Sequence, residues 1–349
     1  MSTSGADIVQ LRSLVREKGL LSPQPFYNTC QILTTVFLFA GSLLLLVSLG
    51  VHNIWLLILS AALMAFASGQ MGFIGHNTNH GQLYRNHCWQ RSIIESAIAL
   101  ILCNSPHWWA NKHTKGHHSS PNQPGKDPDI LKRFLRFSSN NTWRIARFIE
   151  RNQGYLYLPA FFLEGLAIRY SSFKYLITRK NEVEATYRIL ELSLMAIHIG
   201  VYVGGLFFFL DLSFWEALLF TAVHQLLFGL YMALVFAPNH KGMPELNMGN
   251  RKPNYIYVQV VTARNVTSSI GPDWLLNWLC GGLNYQCEHH LFPEMCPNKF
   301  REAQIIVEQF CEGRVPYKSM TIRESFREIL DHLGQIGSRP FAQEVASTS

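Results

Sequence analysis

The most constraining feature of this 349-residue sequence is where positive charge is missing. No Lys or Arg occurs between Lys18 and Arg85, or between Arg188 and Lys241; all 30 basic residues lie outside those two windows. Each window holds two apolar runs. Residues 32–50 and 54–74 are joined by Val51, His52 and Asn53, and residues 189–210 and 216–237 are joined by a turn at 211–215. Each run approaches the ~20 residues that a helix needs to cross a bilayer. Cations confined to the ends of each window predict two hairpins whose ends share the cytosolic side. The expected fold class is therefore an all-α integral membrane protein. Its four transmembrane helices, at about 32–50, 54–74, 189–210 and 216–237, form two hairpins with both termini cytosolic. Whether the membrane is a plasma or inner membrane or the endoplasmic reticulum stays open.

Composition agrees with a membrane bundle that carries a sizeable cap. The chain is 48% hydrophobic and only 15% charged, against roughly 25% charged in soluble domains, and its mean hydropathy is +0.07. The net charge of +7 is laid out as a topology signal, so no nucleic-acid partner is expected. Residues 93–103 are too few to span, and 155–177 are interrupted by Glu164, Arg169 and Lys174; both read as interfacial helices. The polar stretches 119–152, 241–265 and 297–349 form a cytosolic helical cap. The expected division is a cytosolic N-terminal segment (1–25), a membrane domain (26–300) and a C-terminal helical tail (301–349) punctuated by Pro316 and Pro340. Residues 1–25 lack the apolar core of a signal peptide. The seven cysteines form no CxxC pair and are expected to be reduced or buried, without disulfides. The sequons at Asn140 and Asn265 fall on the cytosolic side and should stay unmodified.

Chemistry concentrates in histidine. Of 14 histidines, seven fall in three tight clusters: His76 and His80; His113, His117 and His118; His289 and His290. Residues four apart share a helix face, so His76 can aim at one point with His80, and His113 with His117. His118, about 100° round the helix from His117, can turn to a second point. Three clusters at one membrane face imply metal, and imidazole suits Fe, Zn, Cu or Ni. Seven ligands exceed what one catalytic zinc uses and suit two ions. An all-histidine set is neutral, as befits the edge of a low-dielectric membrane. Two other classes stay in view: a zinc-dependent membrane hydrolase and a metal transporter, although a transporter should spread its ligands across the bilayer depth. His198 and His224 lie deep in their helices and read as tunnel-wall or hydrogen-bonded core residues. His52 sits in the short outer loop, and His87, His107 and His332 carry no cluster signal.

The boxes have the forms HxxxH (76–80), HxxxHH (113–118) and QxxHH (286–290), and their surroundings are equally specific: Trp108 and Trp109 before the second box, PN at 121–122, GKDPDI at 125–130, and GGLNYQCEHHLFP at 281–293. In these features the sequence resembles the membrane fatty acid desaturase family over roughly residues 76–300. Gln286 in place of a first histidine resembles the front-end-like acyl desaturase branch; Cys287 departs from the aliphatic residue usual there. The resemblance also implies a ligand from the fourth spanning helix, here His240, with Asn239 and Gln286 as supporting residues around the metals.

The resemblance implies two irons as cofactor and O2-dependent removal of neighbouring hydrogens from an acyl chain, leaving a cis double bond. The acyl group would be linked to CoA or to a lipid and held in a tunnel under the metals. Lys112, Lys132, Arg133 and Arg136 have two readings, as a grip on the phosphates of such a carrier or as solvated cations that set the topology. No general acid or base is needed beyond the metal ligands. A lipid hydroxylase, epoxygenase or ketolase of the same superfamily is the alternative. No GxGxxG fingerprint and no HPGG-like haem segment occurs, so a separate ferredoxin, cytochrome b5 or reductase is expected as electron donor.

Overall fold

A computed structural model describes residues 5–83, 88–130, 148–149, 151–247 and 254–338. His87, Lys132, Arg133, Arg136, Asn140 and Pro340 lie outside the described residues. Helix α1 (Gly5–Glu17) precedes α2 (Pro25–Ser48), and a 3-10 turn at Gly50–His52 leads into α3 (Ile54–Asn79). Next come α4 (Cys88–Leu102), the short α5 (Pro106–Trp109), a π-helix (Ala110–His117), α6 (Gln153–Phe161) and α7 (Glu164–Thr178). The second hairpin is α8 (Ala185–Gly204), extended as a π-helix over Gly205–Phe209, and α9 (Phe214–His240).

Among the described residues, four helices are long and apolar enough to cross a membrane, at Pro25–His52, Ile54–Asn79, Ala185–Phe209 and Phe214–His240. Local sequence sets their starts. Asn53 caps α3 by accepting from the amides of Trp55 (2.9 Å) and Leu56 (3.3 Å), and Ser213 with Glu216 forms a capping box on α9. Their ends differ from the expected boundaries: α3 continues past residue 74 and α9 past 237. Apolarity stops there, but the i→i−4 hydrogen bonds do not, and the polar last turns carry His76, Asn239 and His240.

Burial separates an inner pair from an outer pair. Within their apolar windows 56% of α3 and 44% of α9 is buried, against 17% and 11% for the spans that contain α2 and α8. The inner pair therefore builds the interior, while the outer pair faces lipid. The apolar 155–177 stretch is two helices, α6 and α7, broken at Phe162 and Leu163. They pack along α9 through facing glycines: a Cβ on Gly229 would sit 2.6 Å from the Phe162 carbonyl oxygen and 2.8 Å from the Gly165 nitrogen. That contact needs hydrogen on both sides.

The cap adds α10 (Tyr255–Val261), α11 (Asp273–Leu279), α12 (Gln286–Leu291), α13 (Phe300–Cys311) and α14 (Ile322–Ser338). It also holds two short strands, β1 (Asn265–Thr267) and β2 (Ser319–Thr321), paired in parallel, which a helical reading of the cap did not anticipate. Helix α13 shares a core with α1 and α12 through Val307, Phe300, Leu11, Val15 and Leu291. Ile329 and Leu333 of α14 pack against Tyr157, Phe161, Ala233 and Ala237. The C-terminal segment thus clamps α6 and the His240 end of α9 and does not trail from them. Cys30, Cys103, Cys280, Cys287 and Cys311 are free thiols.

Candidate metal centre

Four elements deliver the eight candidate histidines to one place. His76 and His80 close α3, His113 and His117 lie on the π-helix with His118 capping it, His240 ends α9, and His289 and His290 lie on α12. They sort into two neighbouring groups. The Nε2 of His113 is 3.0 Å from that of His76 and 3.1 Å from that of His118, which is 3.1 Å from that of His289. His80 shares this group with His76, His113 and His289. In the second group the Nε2 of His240 is 3.2 Å from that of His117 and 3.0 Å from that of His290.

Adjacent residues serve different groups, as the divergence of neighbours on a helix requires: His118 and His289 turn to the first, His117 and His290 to the second. One expectation is corrected. His113 and His117 do not share a point, because Ala110–His117 is a π-helix. In its i→i+5 register the amide of His118 bonds the carbonyl of His113 at 2.9 Å, so residues five apart align. His113 therefore joins His118, and His117 is released to the second group.

Outer hydrogen bonds fix the second group's rings. His117 Nδ1 donates to the Asp127 carboxylate at 3.0 Å, His240 Nδ1 to the Thr262 carbonyl at 2.9 Å, and His290 Nδ1 to Gln259 Oε1 at 2.7 Å. With the proton on Nδ1, each Nε2 lone pair points inward, the arrangement that metal-binding imidazoles require. Asp127 is fully buried and also accepts from the amides of Asn122 and Asp129, each at 2.8 Å. The Gln259 amide bonds the His118 carbonyl at 3.0 Å, tying the two groups together.

Electrostatics favours a cation at this centre. Burial, and then the neighbouring histidines, push the imidazoles of His113, His118, His289 and His290 well below their usual range. They stay neutral, so nitrogens 3.0–3.1 Å apart in the first group cannot all be matched by protons. His80 Nε2 and His289 Nδ1 are buried without a partner. The lone pair of His80 Nε2 and the Nε2 lone pairs of the neighbouring rings, buried and crowded together, cost free energy unless something accepts them, and a metal ion does. The neutral nitrogen set fits iron, which imidazole suits.

Gln286 and Asn239 adjoin the second group. Gln286 Nε2 lies 2.8 Å from His240 Nε2, and its Oε1 accepts from Asn239, which also donates to the Leu283 carbonyl at 2.9 Å. Asp127, Gln259 and Thr262 were not singled out by the sequence. Asp127 lay within the GKDPDI stretch, but nothing in one sequence tells which of its carboxylates turns inward. His224 is buried and bonded to Ser68 and Tyr202, and His198 bonds the Leu100 carbonyl at 2.9 Å, both as hydrogen-bonded residues of the bundle. His107 pairs with Glu191, and His52 is exposed in the outer loop.

Two cavities lie beside the histidines and share a wall. One of about 110 Å³ touches His113, His117, His240, Gln286, Lys112 and Tyr157. The other, of about 40 Å³, touches His76 and continues between α3, α4 and α9 past Gly72, Leu102, Phe228 and Met232. Trp109, Ile168 and Phe236 line both. Lys112 also borders a wider basin of about 810 Å³ with Lys115, Lys174 and Arg179.

Residues 30–321 match the family model described as fatty acid desaturase. Among known proteins, the chain is similar to an acyl-lipid (9-3)-desaturase of Physcomitrium patens, 27% identical over 98% of this chain and 65% of that protein. It is also similar to a Delta(5) fatty acid desaturase of Caenorhabditis elegans, 27% identical over 88% of this chain and 68% of that protein. A Delta(8)-fatty-acid desaturase of Euglena gracilis is 26% identical over 94% of this chain and 78% of that protein. The chain thus spans about two thirds of the length of the first two relatives.

Proposed function

This chain belongs to the fatty acid desaturase family, and from that premise we propose that it is an O2-dependent acyl desaturase with a di-iron centre on the cytosolic face of its membrane. The observation that carries this reading is the division of eight histidines into two adjoining groups whose lone pairs converge. His76, His80, His113, His118 and His289 would hold one iron, and His117, His240 and His290 the other, with Gln286 and Asn239 beside it. When bound, the irons would supply the redox chemistry by which O2, two electrons and two protons take two hydrogens from neighbouring methylenes, giving a cis double bond and two waters.

The chain's own residues supply position and dryness. Asp127, Thr262 and Gln259 keep three imidazoles in one tautomer. Trp109, stacked on His113 at 4.9 Å between ring centroids, forms a wall between the two cavities with Ile168 and Phe236. An acyl chain threaded past that wall is held against the histidines in one register, and Trp109, Ile168 and Phe236 keep water from its reacting carbons. Lys112, Lys115, Lys174 and Arg179 around the basin suit an anionic carrier, whether CoA or a lipid headgroup. Electrons come from a ferredoxin, cytochrome b5 or reductase.

Expression in a host that lacks the product, followed by mass spectrometry of its acyl chains, tests the reading. Acyl products lighter by two hydrogens are expected. Products gaining one oxygen would point to a hydroxylase, epoxygenase or ketolase and overturn the proposal, as would activity without O2.

A further inference from the structure

Equally spaced residues on the two inner helices trace a path away from the histidines. On α3 they are His76, Gly72, Ser68 and Met64; on α9 they are His240, Phe236, Met232, Phe228, His224 and Phe220. Each four-residue step advances about one turn and rotates by about 40°. Successive members of a series are therefore neighbours, while the series as a whole winds round its helix, from the side of the histidines at one end to another side at the other. Gly72, Phe228 and Met232 line the 40 Å³ cavity beside His76. Met64 and Phe220 line a different cavity, an apolar one of about 680 Å³ bordered by α2, α4 and α8. Helix α4 makes the same division, since Leu102 faces the first cavity while Leu100 and Ile101 face the second.

Between the two cavities the apolar path is broken by a polar bridge. Ser68 Oγ and His224 Nε2 are 3.2 Å apart, and His224 Nδ1 is 2.9 Å from the Tyr202 hydroxyl of α8. Ser68 and His224 are 1% and 3% exposed and Tyr202 is half-buried on the outer cavity, so this crosslink joins three helices inside an apolar bundle. Arg169 of α7 stands beside it, its guanidinium carbon 5.0 Å from the centroid of the Phe228 ring. Polar groups at such depth are costly and mark substrate paths in membrane proteins, and the reaction proposed above leaves this cluster without a task.

We propose that the Ser68–His224–Tyr202 bridge, flanked by Phe228 and Arg169, is the inner stop of the acyl tunnel and sets the longest tail that can lie beyond the reacting carbons. A hydrocarbon tail cannot pass without parting hydrogen bonds that it cannot replace. Beyond the bridge the 680 Å³ cavity is a groove that opens toward the lipid side past the exposed Leu43, Val47, Val201 and Phe209, so the limit is set by the bridge and not by the volume of the bundle. This inference rests on the desaturase reading.

The test uses the full chain in a host fed acyl chains that lengthen by steps, with products measured by mass spectrometry. The wild type should show a sharp upper length. In Ser68→Ala/His224→Leu the ratio of longer to shorter products should rise by about tenfold or more, the discrimination a methylene-scale pocket change carries. Tyr202→Phe, which removes one hydroxyl, should move the ratio the same way by less and guards against misfolding of the double variant. Gly205 lines the outer cavity, and an added Cβ there meets nothing within 4 Å. Gly205→Leu should therefore leave the wild-type profile alone but reverse the gain in the double variant. An unchanged length profile in double and single variants that still convert short chains would overturn the stop and leave the desaturase reading intact. So would a gain that Gly205→Leu does not reverse. Absence of any desaturated product from the wild type would overturn both.

Discussion

His117 shows how much a single ring depends on residues that are not ligands. Its Nδ1 faces the buried Asp127 carboxylate at 3.0 Å, which keeps the proton on that side and the other nitrogen free. Asp127→Asn preserves shape but presents an amide that has no fixed charge to orient the imidazole. Iron affinity at the second group is expected to fall by about 10–100-fold, seen as iron lost during dialysis of the purified variant; iron retained as in the wild type would contradict the role. The histidines themselves were legible because their spacing is a helix period, whereas Asp127, Gln259 and Thr262 were not, because they reach the rings from separate loops and helices. His107 gives a prediction from charge. Its hydrogen bond to Glu191 raises the imidazole above its usual range, so the pair contributes fully below the unfolded value of about 6.5 and fades as pH rises through the folded one. The melting temperature lost in His107→Gln should be greatest at about pH 6 and should shrink toward about pH 9; a pH-independent loss would mean that the ring acts only by packing.

At the scale of elements, the π-helix at Ala110–His117 decides which histidine serves which group. Sequence spacing alone suggests an α-helix, and an α-helix would pair His113 with His117. The extra residue per turn is stabilised by tertiary contacts that no local pattern reports, among them the close approach of Gly116 to the Asp127 loop. A Cβ on Gly116 would lie 2.7 Å from Pro128 Cγ and 3.0 Å from its Cδ, and proline cannot swing aside. Gly116→Ala should destabilise the folded protein by about 1–3 kcal/mol and lower its iron content, read from melting temperature and metal analysis together; a variant as stable and as iron-rich as wild type would show that this approach is slack. Helix ends were misjudged for a related reason. Hydropathy marks where apolar contact with lipid stops, at residues 74 and 237, while the helices run on to Asn79 and His240 and carry their histidines on the polar last turn.

For the whole molecule, the two gaps in basic residues were enough to read four spanning helices, since lysine and arginine placement is a property of the entire chain. The cap was less legible. Its β1–β2 pair joins residues 265–267 with 319–321, and α14 returns to grip α6 and α9; both join segments far apart in sequence, with patterns too short to announce them. The proposed topology predicts that a glycosylation acceptor inserted into the loop at Gly50–His52 is modified in microsomes while Asn265 is not; the reverse would invert the orientation. The central claim, two adjoining metal positions built from eight histidines, is met most directly by metal analysis of the purified full-length protein. It predicts about two irons per chain, falling to about one in His290→Ala; one zinc per chain with no iron, or iron unaffected by that substitution, would contradict it.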